Sequence, residues 1–263
     1  MPHLLPSHSG WEYCLYEAER QVMAERKASA AALVAMLKDL SDEEMLALTN
    51  NPGEVKKLGG ELVAKEIANT FAVSLSDAEV QEKYPQFADR LVPWRKLAAL
   101  MGYTGPVAWL VKQGFTLKKH APLVCPCYGN LQYLQGWNFN DDPTDDCLVF
   151  WVPRLAENST GKKLKAMEKH RAELKKRYEL PGDHATYFGS IQLQFALILA
   201  HFKRTGERVP LNFLYMASDT LDAGGDRPIA GYFRDYGLIC HYWDESDNVD
   251  IGFVLLGVEK LGK

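Results

Sequence analysis

No stretch of this sequence stays apolar for long. A run such as Phe195–Ala200 falls far short of the ~20 residues that a membrane-crossing helix needs. The first ten residues, Met1 to Gly10, carry no basic segment followed by an apolar one, so no secretory signal is read there. The expectation is a soluble chain that stays in the cytoplasm, with no membrane partner.

An excess of positive charge is also missing. Thirty Lys and Arg stand against 34 Asp and Glu, a net charge of -4. Nucleic-acid binding draws its affinity from a basic face, and this balance counts against it. There is no low-complexity tract and no fixed-period repeat. Motifs with a known mechanism are absent: no Gly-x-Ser-x-Gly, no Gly-x-x-x-x-Gly-Lys followed by Ser or Thr, no Gly-x-Gly-x-x-Gly and no His-Glu-x-x-His. That argues against common nucleotide-dependent enzymes and zinc proteases, not against enzymes in general. Cysteines are few, five in all at positions 14, 125, 127, 147 and 240. In a reducing compartment they are expected to be free thiols.

What is present is ordinary globular material: 47% apolar and 24% charged residues. Helical signals fill the first part. Ser9 opens a helix from Trp11 towards Leu40, and Ser41–Glu44 and Ser76–Glu79 are capping boxes. Glu61–Val73 is the next helix. Pro93 and Pro106 open helices over Trp94–Met101 and Val107–Gln113.

Beyond residue 145 the pattern changes. Leu148–Val152 reads as a buried strand, Thr160–Tyr178 as an amphipathic helix and Ser190–Arg204 as an apolar helix ended by Gly206. Leu211–Met216, Ile229–Phe233, Leu238–Trp243 and Ile251–Val258 read as an antiparallel meander. The fold class is α+β: a helical N-terminal part, then a mainly antiparallel sheet packed against helices. A soft boundary falls near residue 118, with a helical region 1–118 and an α+β region 119–263 that can share one core.

Four residues are candidate ligand contacts. Gln194 and His201 stand seven apart on one inward stripe of the apolar helix, opposite an edge formed by Gln192, Ala196 and Lys203. Buried polar groups need partners, so the stripe either lines a pocket or makes core hydrogen bonds. Arg171 interrupts the apolar stripe Leu164, Met167, Leu174 and Tyr178; it snorkels, pairs with a carboxylate or holds an anion. His184 follows Asp183 after a Pro-Gly turn at a helix start, where anions are favoured.

Cys125 and Cys127, with His241 as a third ligand, are the candidate metal set. No second cysteine pair of zinc-ribbon spacing supports them, and two small buried residues beside a turn explain them as well. No other cofactor is indicated. The acidic loop Asn138–Asp146, which holds Asp141, Asp142, Asp145 and Asp146, lacks EF-hand spacing and reads as a solvated loop.

Two functional classes remain. One is a binding or protein-interaction module, with Tyr232, Phe233, Tyr236, Tyr242 and Trp243 as a recognition or self-association face. The other is an enzyme with a Cys/His site in the C-terminal region, drawn from Cys125, Cys127, His184, Gln194, His201, Asp219 and His241. A small-molecule ligand suits either.

Overall fold

A computed structural model describes residues 68–125, 127–134, 136–182, 188–209 and 214–261. The helices expected between Ser9 and Asn50 and most of the one over Glu61–Val73 lie outside the described residues, as do Cys14 and His184. The described part is α+β, with two sheets. None of its helices is long and apolar enough to cross a membrane.

The first sheet has the order β1-β2-β3-β8 and is antiparallel throughout: β1 (Ala72–Leu75), β2 (Ala108–Val111), β3 (Cys147–Leu155) and β8 (Val254–Lys260). β3 is buried on both faces, and alternation sorts its side chains. Val149 and Trp151 enter one core with Trp109, while Leu148, Phe150 and Val152 enter another with Trp94. The second sheet, β6-β5-β4-β7, is formed by β4 (Tyr215–Ala217), β5 (Arg227–Arg234), β6 (Gly237–Trp243) and β7 (Ile251–Gly252). Its β4–β7 pair is parallel.

The described part also has helices α1 (Asp77–Lys83), α2 (Leu91–Leu100), α3 (Leu117–Val124), α4 (Leu164–Arg177) and α5 (Ile191–Thr205), besides short 3-10 turns and a helix end at 68–71. The capping box at α1 is present: the Ser76 hydroxyl accepts the Glu79 amide, and Glu79 reaches back to the Ser76 amide. Ser190 caps α5 by accepting the Leu193 amide at 3.2 Å. α5 packs against β1, β2, β5 and α3.

Three expectations need correction. Residues 107–113 are not a helix: Ala108–Val111 is β2, paired between β1 and β3. A four-residue apolar run has no readable period, and burial inside a sheet decided its state. Glu61–Val73 likewise overruns: the described end of that helix stops at Phe71, and Ala72–Leu75 is β1. The expected meander is also divided. Ile251–Gly252 stays with the second sheet, and Val254–Lys260 crosses to pair with β3 of the first. β1 and β2 precede residue 118 while β3 and β8 follow it, so strands from both sides of that position hydrogen-bond in one sheet.

Candidate functional site

α5 carries the site, and its two ends do different things. Gln194 and His201 are both buried, at 1% and 0% exposure. The solvent edge expected opposite them does not exist at Gln192 and Ala196, which are buried too. The helix is enclosed from Ile191 to His201, so an apolar surface on every side left no amphipathic signal to orient it. Gln192 spends its side-chain amide on the Phe139 carbonyl at 2.9 Å.

At the N-terminal end, Gln194 Nε2 donates to the carbonyls of Phe188 (2.8 Å) and Ala217 (2.6 Å), tying the helix to the segment before it and to β4. Arg171 is buried as its stripe position implies, with its guanidinium 3.9 Å from the Phe188 ring centroid. Its charge acts on Asp219, whose carboxylate accepts the Gly189 amide at 2.8 Å. Arg171 and Gln194 thus gather at the segment Phe188–Gly189, away from His201.

At the C-terminal end, Gly206 adopts φ 73° and turns the chain back, a left-handed conformation that glycine takes without Cβ strain. The turn swings Glu207 onto the helix. Glu207 Oε2 lies 2.9 Å from His201 Nε2, and its Oε1 lies 2.8 Å from the Arg154 guanidinium on β3. Burial pushes the Glu207 carboxyl up, but the hydrogen bonds from His201 and Arg154 outweigh it and the net shift is down. An ionised carboxylate only accepts, so Nε2–H is the donor. Burial is also the main cause of the downward shift at His201, with the Glu207 bond opposing it, and the imidazole is therefore neutral near pH 7.

That arrangement leaves His201 Nδ1 with a lone pair and no hydrogen-bond partner among the described residues. Three aromatic rings surround the imidazole: Tyr103, Trp109 and Trp151, with centroids at 6.2, 6.3 and 5.8 Å. The indole nitrogens of Trp109 and Trp151 are also buried without a partner among the described residues.

Outside this enclosed core opens a cleft of about 350 Å³ lined by Gly102–Pro106, Arg154, His201, Arg204, Thr205 and Glu207. Arg154 also lies 5.5 Å over the Tyr103 ring. Arg204, exposed on the last turn of α5, makes no ion pair among the described residues. Two arginines against one carboxylate give the cleft net positive charge, and its volume is that of a small-ligand site.

The remaining candidates are elsewhere. The Cys125 and Cys127 thiols hydrogen-bond to each other, and Cys240 lies close by. This bond first, then burial and Cys240, push the Cys127 thiol well above its ordinary range. Burial pushes Cys147 up to about 12. Thiolate is the reactive and metal-binding form, and these surroundings oppose it. His241 is exposed on β6, with Nδ1 2.9 Å from the Tyr242 carbonyl, and is not brought to the thiols. Among the described residues, no group of three or more His, Cys, Asp or Glu is arranged to hold a metal ion. In the acidic loop, Asp141 pairs with Lys118 at 2.9 Å, and Asp146 accepts the Gln113 amide at 3.0 Å.

Sequence reasoning reached His201 and missed Arg154, Glu207, Arg204 and Tyr103. A glycine stop followed at once by a glutamate, one turn beyond a buried histidine, was the available signal for Glu207. Comparison with family models, with curated proteins and with solved structures finds no match to this chain. The cleft is therefore read from its own chemistry.

Proposed function

We propose that the chain is a binding module for a small anion bearing a carboxylate or phosphate group, seated in the cleft at the C-terminal end of α5. One observation carries this reading: Glu207 is held from both sides by His201 and Arg154, which fixes one arginine in place while Arg204 stays available. A planar guanidinium suits carboxylate and phosphate oxygens. Fixing Arg154 beforehand reduces the ordering cost of binding. Thr104 and Gly105 line the same cleft, and no hydrogen bond engages their amides among the described residues.

An enzyme is the second reading, favoured by the Glu207–His201 pair, which resembles an oriented general base. Its Nδ1, however, is buried with no hydrogen-bond partner among the described residues, and no cysteine lines the cleft. A base has to reach the proton it abstracts, so the pair supports positioning better than proton transfer. The cytoplasm, where thiols stay reduced, suits the four described cysteines, all buried and none in a disulfide.

Calorimetric titration of the full chain with inorganic phosphate and with succinate tests the proposal. The expected result is saturable binding of at least one of them. In Arg204→Ala it weakens by about tenfold or more, the loss of one charge-assisted hydrogen bond, while the ligand-free melting temperature stays close to the parent value. No binding of either anion, or binding unchanged in Arg204→Ala, overturns the reading.

A further inference from the structure

The second sheet presents a different surface, independent of the α5 cleft. Tyr215 on β4 faces Gly231 on β5 in register. A Cβ at Gly231 would lie 2.3 Å from the Leu214 carbonyl oxygen and 2.7 Å from Tyr215 Cα, so only glycine lets the two strands come this close. The register then slips between Gly231 and Arg234, and Tyr232 takes φ 50°. This bulge stacks the Tyr232 ring on Tyr215, centroids 5.6 Å apart at 16°. Tyr215 in turn meets His241 at 6.2 Å, and His241 stacks on Tyr242 at 4.8 Å.

The four rings form a continuous series beside a groove of about 310 Å³. Tyr215, His241 and Tyr242 line it with Asp244 and Asp250. Tyr242 is 53% exposed. No lysine or arginine lines the groove. Neither carboxylate is in an ion pair among the described residues; Asp244 accepts from Ser246, both its hydroxyl and its amide, the amide at 3.1 Å. Of the five aromatics expected to form a recognition face, Phe233 and Trp243 are buried instead, and Tyr232 serves by supporting Tyr215.

We propose that this groove binds a small organic cation of the quaternary or alkylated ammonium class, packed against the Tyr215, His241 and Tyr242 rings and neutralised by Asp244 and Asp250. Aromatic faces are electron-rich and attract a cation. A quaternary ammonium is weakly hydrated at its methyl groups and loses little on leaving water. The two carboxylates supply charge complementarity. An anion is repelled here, and a hard metal ion would want more oxygen ligands than the groove brings together.

The test uses the full chain and two probes of nearly equal shape, choline and its uncharged carbon isostere 3,3-dimethylbutan-1-ol, titrated by NMR. Choline is expected to saturate the site with an affinity about tenfold or more above the isostere. Its methyl protons are expected to show contacts to the Tyr215 and Tyr242 rings. Tyr242→Leu and Asp250→Asn, both at exposed positions, are each expected to weaken choline binding severalfold without lowering the melting temperature. Choline that does not bind, an isostere that binds equally well, methyl contacts elsewhere, or affinity unchanged in either variant overturns the proposal. The parent-chain contacts decide the matter even where a variant misfolds.

Discussion

Neutral His201 keeps Nε2–H on Glu207 and encloses Nδ1 among aromatic rings. That state has a consequence for acid stability. Its folded-state pKa lies below the ordinary 6.5, so as pH falls the unfolded chain takes up the proton first. The contribution is complete above the unfolded value and is lost as pH falls below it towards the folded value. Glu207, also lowered in the fold, adds a loss in the same direction below its ordinary 4.5. The melting temperature is expected to fall between pH 7.5 and 5, and His201→Leu to flatten part of that slope. His120, lowered chiefly by burial, keeps the rest. A slope unchanged in His201→Leu would remove His201 from this role. At pH 7.5 the same variant is expected to lose about 1.5 to 3 kcal/mol in denaturant unfolding, the range for a hydrogen bond to a charged group.

Among the elements, α5 shows where local sequence speaks and where it stops. Its start is written in Ser190 and its stop in Gly206, and both caps form. Ser190→Ala is expected to cost about 1 kcal/mol by urea unfolding, and no measurable loss would mean that the cap bond carries nothing. Its faces were not legible, because enclosure by two sheets and α3 removes the polar side that periodicity reads. β1 and β2 were hidden for a related reason. Ala108-Trp-Leu-Val111 is as apolar as a helix core, and its strand state is set by partners distant in sequence, Leu75 at one margin and Phe150 at the other. Gly231→Ala makes the opposite kind of prediction. The close approach of β4 leaves no room for a methyl group, so loss of stability is expected to exceed that of Ser190→Ala, with the Tyr215–Tyr232 stack broken. Tyrosine ring signals unchanged by NMR would contradict this.

Across the whole molecule, the α5 cleft exists only because separate segments converge. Tyr103 comes from the turn after α2, Arg154 from the end of β3, and Glu207 from the reversal after α5. The sequence pointed to His201 because a histidine inside an apolar helix is unusual in itself. It was silent on Arg154, one of many charged residues until the fold places it beside Glu207. The groove on the second sheet has the same origin, since Tyr215, His241 and Asp250 stand on three different segments. Both surfaces lie on one packed framework and carry opposite charge, a separation that suits two ligands of opposite sign. The most direct test of the anion site is to follow arginine Nε–H and imidazole nitrogen signals by ¹⁵N NMR while inorganic phosphate is added to the full chain. The Arg154 and Arg204 signals are expected to shift together and saturably, with His201 Nε2 remaining protonated on Glu207. Arginine signals at this cleft that stay unmoved while phosphate binds elsewhere, or a His201 that gives up its Nε2 proton, would contradict the account.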